Sequence, residues 1–176
     1  MGKDKIRPEK LGKLFFEIYK YTLPFNNRII ESLKDIDSRI KLPPEDEIMV
    51  ELDYLHIYAI YKAVFSRFKF HYDIFDKNFK IEYRAYIREM MSEESALEYE
   101  LNLLEALSGY MEKHNETLGK GINTETQIEF GRYISRRVIG EESGDDIRYI
   151  MSLYSAYNSD LIELIRIIDT SMEIVE

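Results

Sequence analysis

The apolar positions of this chain recur at helical spacing along nearly its whole length, and the period-2 alternation of a half-buried strand is missing over any useful stretch. Leu11, Leu14, Phe15 and Ile18 give a first helix one face. Pro8 suits its first turn, where the missing amide has no partner to lose, and Pro24 should end it through the steric restriction it places on Leu23. Ile29, Leu33, Ile36 and Ile40 then repeat at 4,3,4 spacing and predict a second helix that stops at Pro43 and Pro44.

Glu45, Asp46 and Glu47 open a third helix, placed where the positive end of the helix dipole favours acids. Running to about residue 69, it would be about 37 Å long. One stripe of Leu52, Leu55, Ala59 and Ala63 and another of Tyr54, Tyr58, Tyr61, Phe65 and Phe68 cover most of its circumference, which puts it in the middle of a bundle. Residues 70–77 are where this helix bends or stops. Phe79, Tyr83, Tyr86 and Met90 form the face of a fourth helix.

Ser92 caps a fifth helix that runs to about His114. Its stripe is Leu97, Leu101, Leu104 and Met111, widened by Leu103, Leu107 and Tyr110, and this apolar content places it beside the third helix at the centre. Thr124 and Gln127 have the spacing of a capping box and start a sixth helix, which Gly140 ends. Residues 143–146 begin another, and Asn158, Ser159 and Asp160 are expected to break it before a last helix with Leu161, Leu164, Ile165, Ile168 and Met172. The predicted fold is all-α, a bundle of about seven or eight helices around a buried, aromatic-rich third helix. Without repeats or a Pro/Gly/Ser linker, residues 1–176 read as a single domain.

Charge divides the chain unevenly. Residues 1–41 carry ten Lys/Arg against six Asp/Glu, and residues 42–176 carry fourteen against twenty-seven, so the halves stand at +4 and −13 and the whole at −9. We expect basic N-terminal helices packed on an acidic helical body. An acidic body repels phosphate, so nucleic acid is not an expected partner unless a local basic patch forms. Arg132, Arg136 and Arg137 are the candidates for such a patch, with Lys3, Lys5, Arg7, Lys10 and Lys13 as possible contributors. Glu129 and Glu141 lie close enough in sequence to make an ion-paired surface the simpler reading.

The absence of cysteine excludes disulfides, thiolate metal sites and cysteine nucleophiles, and it fits a reducing compartment, with the cytoplasm as the expected location. The segment from Met1 to Ile6 is charged, so neither an export nor a lipidation signal is expected from it. Residues 48–65 are the nearest approach to a membrane segment, but Glu51, Asp53, His56 and Lys62 make a buried helix the better reading, and no membrane partner is expected.

Candidate chemistry is sparse. There is no Gly-x-Ser-x-Gly elbow, and only three histidines are present to act as a base. Gly119-Lys120-Gly121 fails the P-loop pattern at His114 and Gly121, and the dinucleotide pattern at Thr124. No cofactor is called for, and the balance leans away from an enzyme. Asp53-x-x-His56 is a partial metal motif, since i,i+3 spacing puts both side chains on neighbouring parts of one face, and Glu98 or Glu105 is available to complete a site. The simpler reading is a core histidine satisfied by hydrogen bonds. Tyr54, Tyr58 and Tyr61 are candidate walls for a flat apolar ligand, against the plainer alternative that aromatic residues at this spacing are core.

The surplus of apolar and aromatic positions points to a non-catalytic protein-interaction or regulatory module, expected as a subunit of a larger assembly or a self-associating oligomer. A small-ligand or metal-binding bundle is the first alternative, and a nucleic-acid-associated subunit the second.

Overall fold

The computed structural model describes residues 4–37 and 40–175, with Pro24 described by its backbone alone. Six α-helices account for most of these residues: α1 (Pro8–Ile36), α2 (Glu45–Arg67), α3 (Tyr72–Met90), α4 (Glu93–Glu116), α5 (Thr124–Ile139) and α6 (Ile147–Ser171). Two 3-10 turns, Lys69–His71 and Leu118–Lys120, bring the helical segments among the described residues to eight. The fold is an all-α helical bundle. No helix among the described residues is long and apolar enough to cross a membrane.

α2 is the central element. It is buried at almost every position from residue 52 to residue 64, and it packs against α1, α3, α4, α5 and α6. A helix that is apolar all round has no solvent face to keep and is stable only when enclosed. α1 lies along α3, and the two approach closely at Gly12, where a Cβ would stand within 2.6 Å of the Asn78 carbonyl carbon.

The first helix does not end before Pro24. α1 continues to Ile36 as one element, so the first two predicted helices are one. Proline deprives only the Lys20 carbonyl of its intrahelical partner, whereas the buried line Leu11, Phe15, Tyr19, Asn26, Ile30 and Leu33 runs past it on both sides. Asn26 in that line and half-buried Thr22 beside it are positions that an apolar pattern does not register. The predicted continuation to Ile40 also fails, because Asp37 is extended and Ile40 lies in a bend; residues 38 and 39 lie outside the described residues.

α2 and α3 are separate, divided by the 3-10 turn, and α3 starts at Tyr72 with Phe75, Phe79, Tyr83 and Ile87 buried. Met90, predicted for that face, is exposed. α5 is capped one residue earlier than its sequence suggests: the Asn123 side chain accepts from the Thr126 amide and the Thr126 hydroxyl accepts from the Asn123 amide, each at 3.0 Å. Gly140 ends α5 at φ 89°, a conformation open to glycine. α6 runs unbroken through residues 158–160, because Tyr157 and Leu164 are buried on either side and hold the segment down.

α4 departs furthest from expectation. Leu97, Leu101, Leu104 and Met111 face outward at 59, 59, 45 and 48% exposure, and the buried face is Ala96, Leu103, Ala106 and Tyr110. Two three-residue strands were also unforeseen, being too short to show alternation: β1 (Asp4–Ile6) and β2 (Met172–Ile174) pair in parallel, Asp4 opposite Met172, and so tie the two ends of the described chain together.

The α1–α3 crossing gives a signed prediction. Alanine normally favours a helix over glycine by up to ~1 kcal/mol, but Gly12→Ala should lower stability by about 2 kcal/mol because backbone blocks the methyl group. Gly109→Ala meets only the end of the Tyr133 side chain and should be neutral or stabilising. Paired thermal or denaturant unfolding of the two variants checks the difference.

Candidate functional site

Asp53 sits in the middle of α2 at 6% exposure, and three tyrosines from three other helices donate their hydroxyls to it. Tyr19 of α1 reaches Oδ1 at 2.8 Å, and Tyr83 of α3 and Tyr99 of α4 reach Oδ2 at 3.1 and 2.6 Å. Burial pushes the Asp53 carboxyl above its ordinary range, against the lowering effect of the three hydroxyls and of His56 nearby. Burial, reinforced by the Asp53 charge, pushes all three tyrosine hydroxyls upward, so they stay protonated and act as donors.

His56, one turn along α2 and equally buried, serves a different connection. Its Nδ1 lies 3.0 Å from the Asp160 carboxylate of α6, and its Nε2 meets the Thr22 hydroxyl of α1. An ionised Asp160 only accepts, which assigns a proton to Nδ1. The structure thus brings the two halves of the metal motif together but engages each with other partners. Among the described residues no group of three or more His, Asp or Glu side chains stands close enough to hold a metal ion.

The three tyrosines singled out on α2 go to separate surroundings. Tyr54 packs edge-on against Tyr99, with ring centroids 5.1 Å apart. Tyr61 packs against Phe75 and Phe79 at 5.1 and 5.5 Å. Tyr58 belongs to a second cluster with Tyr110, Tyr157, Phe130 and His114. In that cluster the hydroxyls of Tyr58, Tyr110 and Tyr157 and the Nδ1 of His114 are buried without a well-formed protein hydrogen bond. Burial first, and the charge of Lys62 second, hold the His114 imidazole down at about 4.

Arg132, Arg136 and Arg137 do line one groove between α4 and α5, of about 560 Å³. All three are engaged by acids. Arg136 grips Asp145 through Nε and Nη2 at 3.0 and 2.8 Å, and Arg132 approaches the same carboxylate at 3.3 Å. Arg137 forks onto Glu51 at 3.0 and 2.9 Å and lies over the Tyr110 ring. With Glu112, Glu116, Glu129 and Glu141 in the same lining, the groove carries both signs of charge.

Two places stand out for unused recognition capacity. One is the outward stripe of α4. Its residues fall in a heptad, with Leu101 and Ser108 at a, Leu97, Leu104 and Met111 at d, and Glu98, Glu105 and Glu112 at successive e positions. These three glutamates are exposed and enter no ion pair among the described residues. The other is a pocket of about 190 Å³ that reaches Asp53 and its tyrosines between α1, α2, α3 and α4. Sequence reasoning named Asp53 but missed Tyr19, Tyr83 and Tyr99 as its partners, which lie 34, 30 and 46 residues away; the available signal was an acid flanked on both sides by the apolar stripes of the helix.

Comparison with protein-family models, with curated proteins and with solved structures found no match.

Two stability outcomes follow. Asp53→Ala leaves two buried hydroxyls and one part-buried hydroxyl without their acceptor and should cost roughly 3 kcal/mol, Asp53→Asn less, and Tyr99→Phe about 1 kcal/mol, measured by denaturant unfolding. His114 titrates near 6.5 when unfolded and at about 4 when folded, so the unfolded chain binds more protons between those values. Stability should therefore fall as pH drops through that window, and His114→Phe should remove that part of the loss in parallel pH-dependent unfolding curves.

Proposed function

We propose that this protein is a non-catalytic interaction module whose α4 receives a basic amphipathic helix of a partner protein. The observation that carries this reading is the exposed heptad: four large apolar side chains over about 21 Å of helix, turned to solvent. A helix laid along such a stripe would bury its own apolar anchors at matching spacing.

Charge selects the partner. With glutamate at every e position and Glu93 and Glu100 at g, a second copy would set glutamate against glutamate in either orientation, through g–e contacts if parallel and e–e or g–g contacts if antiparallel. Arg84 already neutralises Glu100 from α3, at 2.9 Å, which leaves the e row as the open negative edge. Lysine or arginine flanking the anchors of a partner helix complements that edge, and an anionic membrane or a nucleic acid does not.

A designed three-heptad peptide with leucine at a and d and lysine at e and g is a direct probe. It should bind in a salt-sensitive manner, lose about tenfold or more in affinity to the Leu101→Glu/Leu104→Glu variant, and be rejected by Glu98→Lys/Glu105→Lys/Glu112→Lys in favour of the glutamate version of the peptide. Equal binding of both peptides by the native chain would contradict the proposal. So would a native dimer in light scattering that the leucine substitutions convert to monomer.

A further inference from the structure

The pocket at Asp53 has the chemistry of a receptor for a small organic cation. Among the described residues that line it, Asp53 alone is charged, and none is a lysine or arginine. A carboxylate offers about four lone-pair positions. Oδ2 accepts from Tyr83 and Tyr99, and Oδ1 accepts from Tyr19 alone. Oδ1 therefore retains acceptor capacity within a rigid frame, held by hydroxyls that donate and carry no compensating charge. The basic side chain that acts on it is His56, and that ring is committed to Asp160 and Thr22.

The surroundings favour a cation with an apolar body. The rings of Tyr19, Tyr83, Tyr86 and Tyr99 all line the pocket, with Tyr19 centred 5.5 Å from Tyr83 and 6.4 Å from Tyr86. Clustered aromatic rings attract a cation through their π faces. Met49, Met90 and Met91 form part of the remaining wall, and thioether side chains adapt to the shape of what they cover. A cavity of about 150 Å³ accommodates a benzene-sized molecule, so about 190 Å³ suits one ring with a short aminoalkyl chain.

We propose that this pocket binds a small arylalkyl primary amine as its ammonium ion, with an N–H donated to Asp53 Oδ1 and the ring held among the tyrosines and methionines. A primary ammonium is favoured over a quaternary one because a carboxylate oxygen with spare acceptor capacity is satisfied by an N–H donor. The pocket and the outward stripe use different residues of α4, so either proposal can fail without the other.

The test is titration of the full chain with 2-phenylethylamine, 2-phenylethanol and phenylacetate, followed by calorimetry and by methyl NMR of the methionines. The amine should bind, the alcohol should bind about tenfold or more weakly, and the acid should not bind. Met49, Met90 and Met91 methyl signals should move with the amine. Asp53→Asn, checked for native circular dichroism, should lose the preference for amine over alcohol. Should that variant not fold, the amine-to-alcohol comparison on the native chain decides alone. Equal response to amine and alcohol, no methyl shift at millimolar amine, or undiminished amine preference in folded Asp53→Asn would each overturn the proposal.

Discussion

A carboxylate in the middle of a fully enclosed helix must find hydrogen-bond donors, because an ionised group left unpaired in an apolar interior costs several kcal/mol. Asp53 meets this constraint by drawing a tyrosine hydroxyl from each of α1, α3 and α4, and much of the bundle's arrangement follows from it. Tyrosine suits the task, since its ring fills core space while its hydroxyl reaches the acid. A lysine or arginine would neutralise the charge but would bring a second group to desolvate. His56 extends the same logic one turn further, linking α2 to α1 and α6, so that two polar residues on one helix index three or more neighbours.

The clasp also sets the rotation of α4. Tyr99 lies on the helix face that continues through Leu103, Ala106 and Tyr110, and its 2.6 Å bond to Asp53 turns that face inward. The stripe of Leu97, Leu101, Leu104 and Met111 is displaced by roughly two fifths of a turn and is left outside. Interior polar chemistry and the exposed recognition face are in this sense one design: the residue that closes the core determines what the surface offers.

The all-helical fold was legible because period and local capping are written in short stretches. The acids of residues 45–47, Ser92 and Gly140 mark real boundaries, since a cap depends on neighbours within a few positions. Pro24 and residues 158–160 misled for the opposite reason: local breakers were overridden by burial on both sides, and the stripe across them is carried partly by polar side chains with distant partners. On α4 the apolar pattern reads as one wide stripe, Leu97, Leu101, Leu104 and Met111 widened by Leu103, Leu107 and Tyr110. The larger leucines looked like core, but the structure buries Ala96 and Ala106, whose small side chains let the helix lie close to its neighbours. Nothing local encodes that choice. The candidate residues fared similarly: Asp53 stood out as an acid among apolar residues, while the tyrosines that define its chemistry are separated from it by whole helices.

The claim on which these relations rest is that the Asp53 carboxylate is held by three tyrosine hydroxyls. Proton NMR of tyrosine-labelled protein tests it most directly, by observing the hydroxyl protons themselves. The account predicts slowly exchanging hydroxyl protons on Tyr19, Tyr83 and Tyr99, each close to the Asp53 side chain. Hydroxyls on these residues that exchange with water as freely as those of an exposed tyrosine would contradict it.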